Sequence, residues 1–206
     1  MVSAFKLMAV FGGAAALALA AAIPARAASD PAATQIETLE TRTLAVMKEA
    51  KGSSFHTRYE KLKPALEQAL DLPAMTRAAV GSTAWKTMTE AQHQQLITAF
   101  SRMIISTYTH NFDGYDGQRF EVGAVDTRDA DKLVHAKIIE KGGKSTDLIY
   151  RMRQSSGGSW KVIDVFFRGT VSELAEHSSD FHATLAKGGA PALVEHLNAL
   201  SDKLAK

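Results

Sequence analysis

The hydrophobic period of this chain changes twice, and that limits the folds open to it. From Ile36 to Tyr108 apolar residues recur at three- and four-residue steps, as on helices with one buried face. From Arg119 to Phe167 the step becomes two, as on half-buried strands. After Gly169 the helical step returns. Helices, then consecutive strands, then helices describe a single α+β domain with helices covering one face of one sheet. Short separators between the strands demand antiparallel hairpins.

Local signals place the elements. Ile36, Leu39, Thr43, Val46, Met47 and Ala50 form one helical stripe that Gly52 stops. Phe55, Tyr59, Leu62, Leu66 and Leu70 form a second, which Pro64 is expected to kink or divide. Asp71 caps a short third helix with Pro73 in its first turn, and Gly81 ends it. Thr89-Glu90-Ala91-Gln92 is a capping box that opens the longest helix, about 89–111. Four strands are predicted as a meander, at 119–126, 133–140, 146–153 and 159–167. In the third, Leu148, Tyr150 and Met152 alternate with Asp147, Ile149, Arg151 and Arg153, so one face is buried. Gly169 is expected to break the sheet. Ser172 caps the next helix, Gly188-Gly189 ends it, and Pro191 opens the last one.

Residues 1–27 read as a cleavable secretory signal, leaving 28–206 as the single domain. Lys6 gives a positive start, Leu7–Ile23 is apolar, and Ala25-Arg26-Ala27 puts small residues at the cleavage site. The whole chain of 206 residues has a formal charge of +2, but that segment holds Lys6, Arg26 and no acid. The remainder balances 22 bases against 22 acids and lacks the field that nucleic-acid backbones require. No later stretch is long and apolar enough to span a bilayer. With no cysteine, disulfides, thiolate metal sites and a cysteine nucleophile are excluded. The expected compartment is a bacterial periplasm.

Catalytic signatures are absent: there is no nucleophile elbow, phosphate loop, dinucleotide fingerprint or zinc-protease helix motif. The seven histidines are scattered, and no metal or cofactor is implied. Glu173 and His177, four apart, are placed to pair as a surface ion pair. Asp164 stands among Val162, Ile163 and Val165 and needs a partner or water. It is either a base on a pocket floor or a carboxylate bonded to a loop, Lys161 or Arg168. Ile105, Tyr108, Phe112 and Tyr115 end the long helix, while Tyr150, Val165, Phe167 and Val171 come from the sheet and the turn after it. These eight either complete a core or line a cavity opening at the sheet end.

Three motifs carry a resemblance. Gly81-Ser-Thr-Ala-Trp85-Lys-Thr-Met-Thr89-Glu-Ala-Gln92, then Thr107-Tyr108 with Tyr115-Asp-Gly117-Gln118, then Trp160-Lys-Val-Ile-Asp164 through Gly169 and Ser172, keep their order over about 70–185. Together they resemble the MlaC-type, or toluene-tolerance, family of periplasmic lipid shuttles. At the position where that family commonly has an arginine, this chain has Ser178. With Gly169-Thr-Val-Ser172-Glu-Leu-Ala, this is similar to the hopanoid-biosynthesis-associated HpnM branch. The resemblance implies a non-enzymatic carrier of phospholipid or hopanoid. It implies lipid in a cavity between sheet and helices, on Ile105, Tyr108, Phe112, Tyr115, Tyr150, Val165, Phe167 and Val171. It implies exchange with an inner-membrane ABC-transporter complex and an outer-membrane lipoprotein complex. The other readings are a curved-sheet α+β enzyme with Asp164 as base, and a periplasmic interaction protein with a solid core.

Overall fold

A computed structural model describes residues 29–206. The proposed signal at 1–27 lies outside the described residues. Five helices lead in: α1 (Pro31–Lys48), α2 (Phe55–Ala69), α3 (Leu72–Val80), α4 (Ser82–Thr87) and α5 (Glu90–Asn111). The strands follow as β1 (Arg119–Arg128), β2 (Asp131–Ile139), β3 (Ser145–Gln154), β4 (Trp160–Phe167) and β5 (Val171–Ser172), and α6 (Glu173–Leu204) closes the chain.

The predicted caps form. Asp71 accepts from the Ala74 amide at 3.0 Å. Thr89 and Gln92 make both bonds of the capping box. The Ser172 hydroxyl accepts from Ala175 at 3.0 Å and starts α6. Gly188 and Gly189 leave helical geometry inside α6, so its two halves meet at a bend where the sequence expects a break. Pro64 does not divide α2. It lies on the exposed side of the helix, where the carbonyl it leaves unbonded, that of exposed Glu60, can turn to water. The six-residue α4 has no counterpart in the sequence reading. Gly81 links α3 to it at φ 85°, and a Cβ there would stand 3.0 Å from His182 Nε2.

The sheet is antiparallel in the order β1-β2-β3-β4-β5, a meander with five strands rather than four. The fifth is a two-residue return: Val171 pairs with Phe167, and Ser172 with Phe166. Gly169, at φ 74°, therefore makes a tight turn within the sheet and does not end it. A two-residue strand is too short to show a period, which is why the sequence pattern stops at Phe167.

The sheet's inner face buries Val134 and Ala136 of β2, Leu148, Tyr150 and Met152 of β3, and Val162 and Val165 of β4. Against it pack Leu62 and Leu66 of α2, Leu96, Phe100 and Met103 of α5, and Phe181, Leu193 and Leu197 of α6, all essentially inaccessible. Phe100 and Phe181 meet edge to face with centroids 6.0 Å apart.

Two strands would present the wrong face without a bulge. In β4, Met152 pairs with Val162 but Arg151 pairs with Asp164, so Ile163 is the extra residue. Val162 points inward before it, and Val165, opposite Tyr150, points inward after it. In β1, Val122 pairs with Ala136 and Val125 with Val134, so both valines reach the helices.

Candidate functional site

Where the C-terminal end of α5 rises from the sheet, the packing opens into a cleft of about 440 Å³. Its helical wall is Thr107, Tyr108 and Asn111 of α5 and Phe112 at that helix's C-cap, with Met47 of α1 and Glu173 of α6. The sheet wall is Ile138, Leu148, Tyr150, Val165 and Phe167, and Gln118, Glu140 and Thr146 stand with them. The size falls within the range of small-molecule sites. A groove of about 400 Å³ lies on the other side of the sheet. Its walls include Glu121, His135, Lys137 and Asp147, so it is the wetter surface.

Five of the eight candidate residues come together in the cleft: Tyr108, Phe112, Tyr150, Val165 and Phe167. Tyr108 and Phe112, one turn apart, have ring centroids 5.6 Å apart. The other three are placed elsewhere. Ile105 is 1% exposed in the core, on the same side of α5 as Phe112 but two turns earlier, where the core is closed. Tyr115 is exposed in the loop after α5, with the Lys48 ammonium 5.2 Å from its ring centroid. Val171 is exposed on β5, paired with Phe167 at the end of the sheet.

The ionisable groups in the cleft wall, and Glu40 behind Tyr150, share one electrical character. Glu40 of α1 is 4% exposed, and its Oε1 has no hydrogen-bond partner. Burial, with the nearby Glu37 charge adding to it, pushes its carboxyl up to about 8, and the Tyr150 hydroxyl beside it only partly opposes this. Burial also raises Tyr150, with Tyr108, Glu40 and Glu173 adding to the effect. Tyr108 is raised by burial and then by Glu173 and Glu40. Glu173 is raised by burial and by Asp164 and Glu176. Glu40 was missed in the sequence, although the signal was there: it stands four residues after Ile36 and three before Thr43, on the buried stripe of α1.

Asp164 has a structural occupation. Its Oδ2 accepts from the Ser172 hydroxyl at 2.7 Å, and its Oδ1 from the amides of Val165 at 2.9 Å and Leu174 at 3.3 Å. The partner is thus the start of α6, and neither Lys161 nor Arg168 is bonded to it. Both oxygens hold the end of β4 to the first turn of α6, where a helix N-terminus favours a carboxylate. His177 does not pair with Glu173 but stacks on Phe181 and meets Phe100 edge to face. Burial lowers its proton affinity. Among the described residues no group of acids and histidines is arranged to hold a metal ion. No helix among them is long and apolar enough to cross a membrane.

The recurring motif around Trp85 is architectural. The Trp85 ring stacks on His93 at 4.0 Å, and His93 Nε2 bonds the Trp85 carbonyl at 2.9 Å. This fastens α4 to the capping box of α5.

The family model described as MlaC protein matches residues 37–199. Among solved structures, a phospholipid-binding protein from Ralstonia solanacearum, in complex with a phospholipid, has a TM-score of 0.74 and 24% identity. The match covers 85% of this chain and 99% of that one. No curated protein matches significantly.

Proposed function

The chain belongs to the MlaC family, and from that premise we propose that it is a non-enzymatic periplasmic lipid carrier whose cleft holds acyl chains. One observation carries the reading: an aromatic and aliphatic cleft opens between sheet and helices in an otherwise filled core. An acyl chain placed there leaves water at about 0.8 kcal/mol per buried CH₂. A catalytic group is not required, and Asp164, the one candidate base, is spent on capping α6. The phospholipid held by the Ralstonia solanacearum protein of similar fold supports the same reading.

In this proposal Tyr108, Phe112, Tyr150, Val165 and Phe167 contact the lipid tail directly. Ile105 backs the wall from the core, and Tyr115 and Val171 act outside the cleft, where the cargo enters. The cargo is a phospholipid or, following the HpnM-like Ser178 region, a hopanoid. It is exchanged with an inner-membrane ABC-transporter complex and an outer-membrane lipoprotein complex. The segment 1–27 delivers the chain to the periplasm as a cleaved signal.

The test is native mass spectrometry of the exported protein, with extraction and identification of what it carries. A stoichiometric lipid is expected. Val165→Trp, which fills the cleft from its sheet wall, is expected to remove that lipid while the protein stays folded. Protein that never carries lipid, or a filled cleft that retains it, overturns the proposal.

A further inference from the structure

The cleft is lined by hydroxyls, amides and carboxyls, and no lysine, arginine or histidine lines it among the described residues. Glu140 and Glu173 are part of the wall, and Glu40 stands behind Tyr150 with an unpartnered oxygen. Glu140 forms its ion pair with Lys144, at 4.0 Å across an exposed hairpin, which screens little inside the cleft. Glu40 and Glu173 raise Tyr150, and no cation is among the groups that act on Glu40, Tyr150 or Glu173. A buried anion needs a paired cation or several donors aimed at it. This site offers acceptors instead, with Glu140 and Glu173 as the acids in its wall, while Glu40 keeps its proton near neutral pH.

We infer that the cleft selects its cargo by charge: it takes an amphiphile whose inserted polar group is a hydrogen-bond donor without negative charge, and it excludes carboxylate and phosphate groups. Glu173 is the residue that sets this preference most directly, because it lines the cleft itself. Tyr108 and Tyr150 supply the hydroxyls that a neutral or amine-bearing polar group meets. Any phosphate on the cargo therefore stays in water outside the cleft. This deepens the carrier reading and rests on it.

The test compares three ligands with the same alkyl chain: dodecanol, dodecylamine and dodecanoate. Each displaces the uncharged probe N-phenyl-1-naphthylamine from the purified protein near neutral pH. Dodecanol and dodecylamine are expected to bind, and dodecanoate to bind about tenfold more weakly or less. Glu173→Gln is expected to close about half of that gap or more, by tightening dodecanoate about threefold or more relative to dodecanol. An unchanged far-ultraviolet circular dichroism spectrum and melting curve show that the variant is folded. Equal binding of dodecanoate and dodecanol by the natural protein overturns the charge selection and leaves the carrier reading intact. So does a Glu173→Gln protein that binds dodecanol but keeps the full gap. If none of the three displaces the probe, the carrier reading falls and the selection with it.

Discussion

The hairpin end of the sheet and helix α1 each bury a carboxyl, and they treat it in opposite ways. Asp131, which opens β2, is 5% exposed and receives Arg153 Nε at 2.6 Å and Arg151 Nε at 2.7 Å. Its proton affinity is lowered, chiefly by the Arg153 bond. Glu40 is as deeply buried, has no cation, and is raised to about 8. The first acid fastens neighbouring strands, since β1 meets β2 and β2 meets β3 at its position. The second costs stability, and a costly group persists beside a site more readily than in a filled core. The contrast separates a carboxyl held by two arginines from one left without a cation.

Substitutions break this contrast from either side. The largest effect is expected at Asp131→Asn, at about 3 kcal/mol of destabilisation in urea unfolding near neutral pH. The loss stays at the low end for a buried pair because Arg151 and Arg153 are half-exposed and can turn to water. A depressed carboxyl contributes stability above its unfolded value of 3.8, and that stability is lost as the pH falls through the folded value. The difference between natural protein and variant should therefore shrink in acid. An undiminished difference at low pH would show that packing, not charge, holds the hairpin.

Glu40→Gln should act with the opposite sign. The folded protein keeps a proton that the unfolded chain releases above about 4.5, so the natural protein loses stability as the pH rises from there to about 8. The variant escapes that loss and is expected to be about 2 kcal/mol more stable at pH 8, with little difference below 4.5. A variant less stable at pH 8 would mean that the carboxyl is paid for by contacts beyond Tyr150.

Asp164→Ala tests the third buried acid, the one satisfied by a helix start. Loss of its bonds to Ser172 and Leu174 should cost about 1 to 2 kcal/mol and speed amide exchange in the first turn of α6. Lys61→Ala marks the lower bound. Its pair with Glu49 at 2.6 Å lies in solvent, and a change of about 0.5 kcal/mol or less is expected.

Much of the frame was legible in the sequence because caps and periods are local. The Thr89–Gln92 box, the Asp71 and Ser172 caps and the alternation of Leu148, Tyr150 and Met152 all stand where their residues predict. The cleft was legible only in part. Tyr108 and Phe112 share a helix face one turn apart, so their meeting follows from spacing. Ile105 and Phe112 are seven apart, yet they part company because the core closes over Ile105 before the helix reaches the opening. Val171 was read as turn because a two-residue strand shows no period. Glu40 was not singled out because its burial comes from a sheet far along the chain, which its place on the α1 stripe does not show.

The sequence by itself determined the longer elements and their order, the charge balance of residues 28–206 and the absence of thiol chemistry, since each depends on residues close together in the chain or on composition. The tertiary structure decided which residues face the cleft. In β4 that rests on one extra residue, Ile163: an unbulged strand with Val162 inward would turn Val165 and Phe167 away from the helices. A run apolar on both faces apart from Lys161 and Asp164 gives little sign of the shift, because each unbulged register also buries hydrophobic side chains. Only the pairing with β3, and the need to bring Asp164 against the start of α6, selects between them.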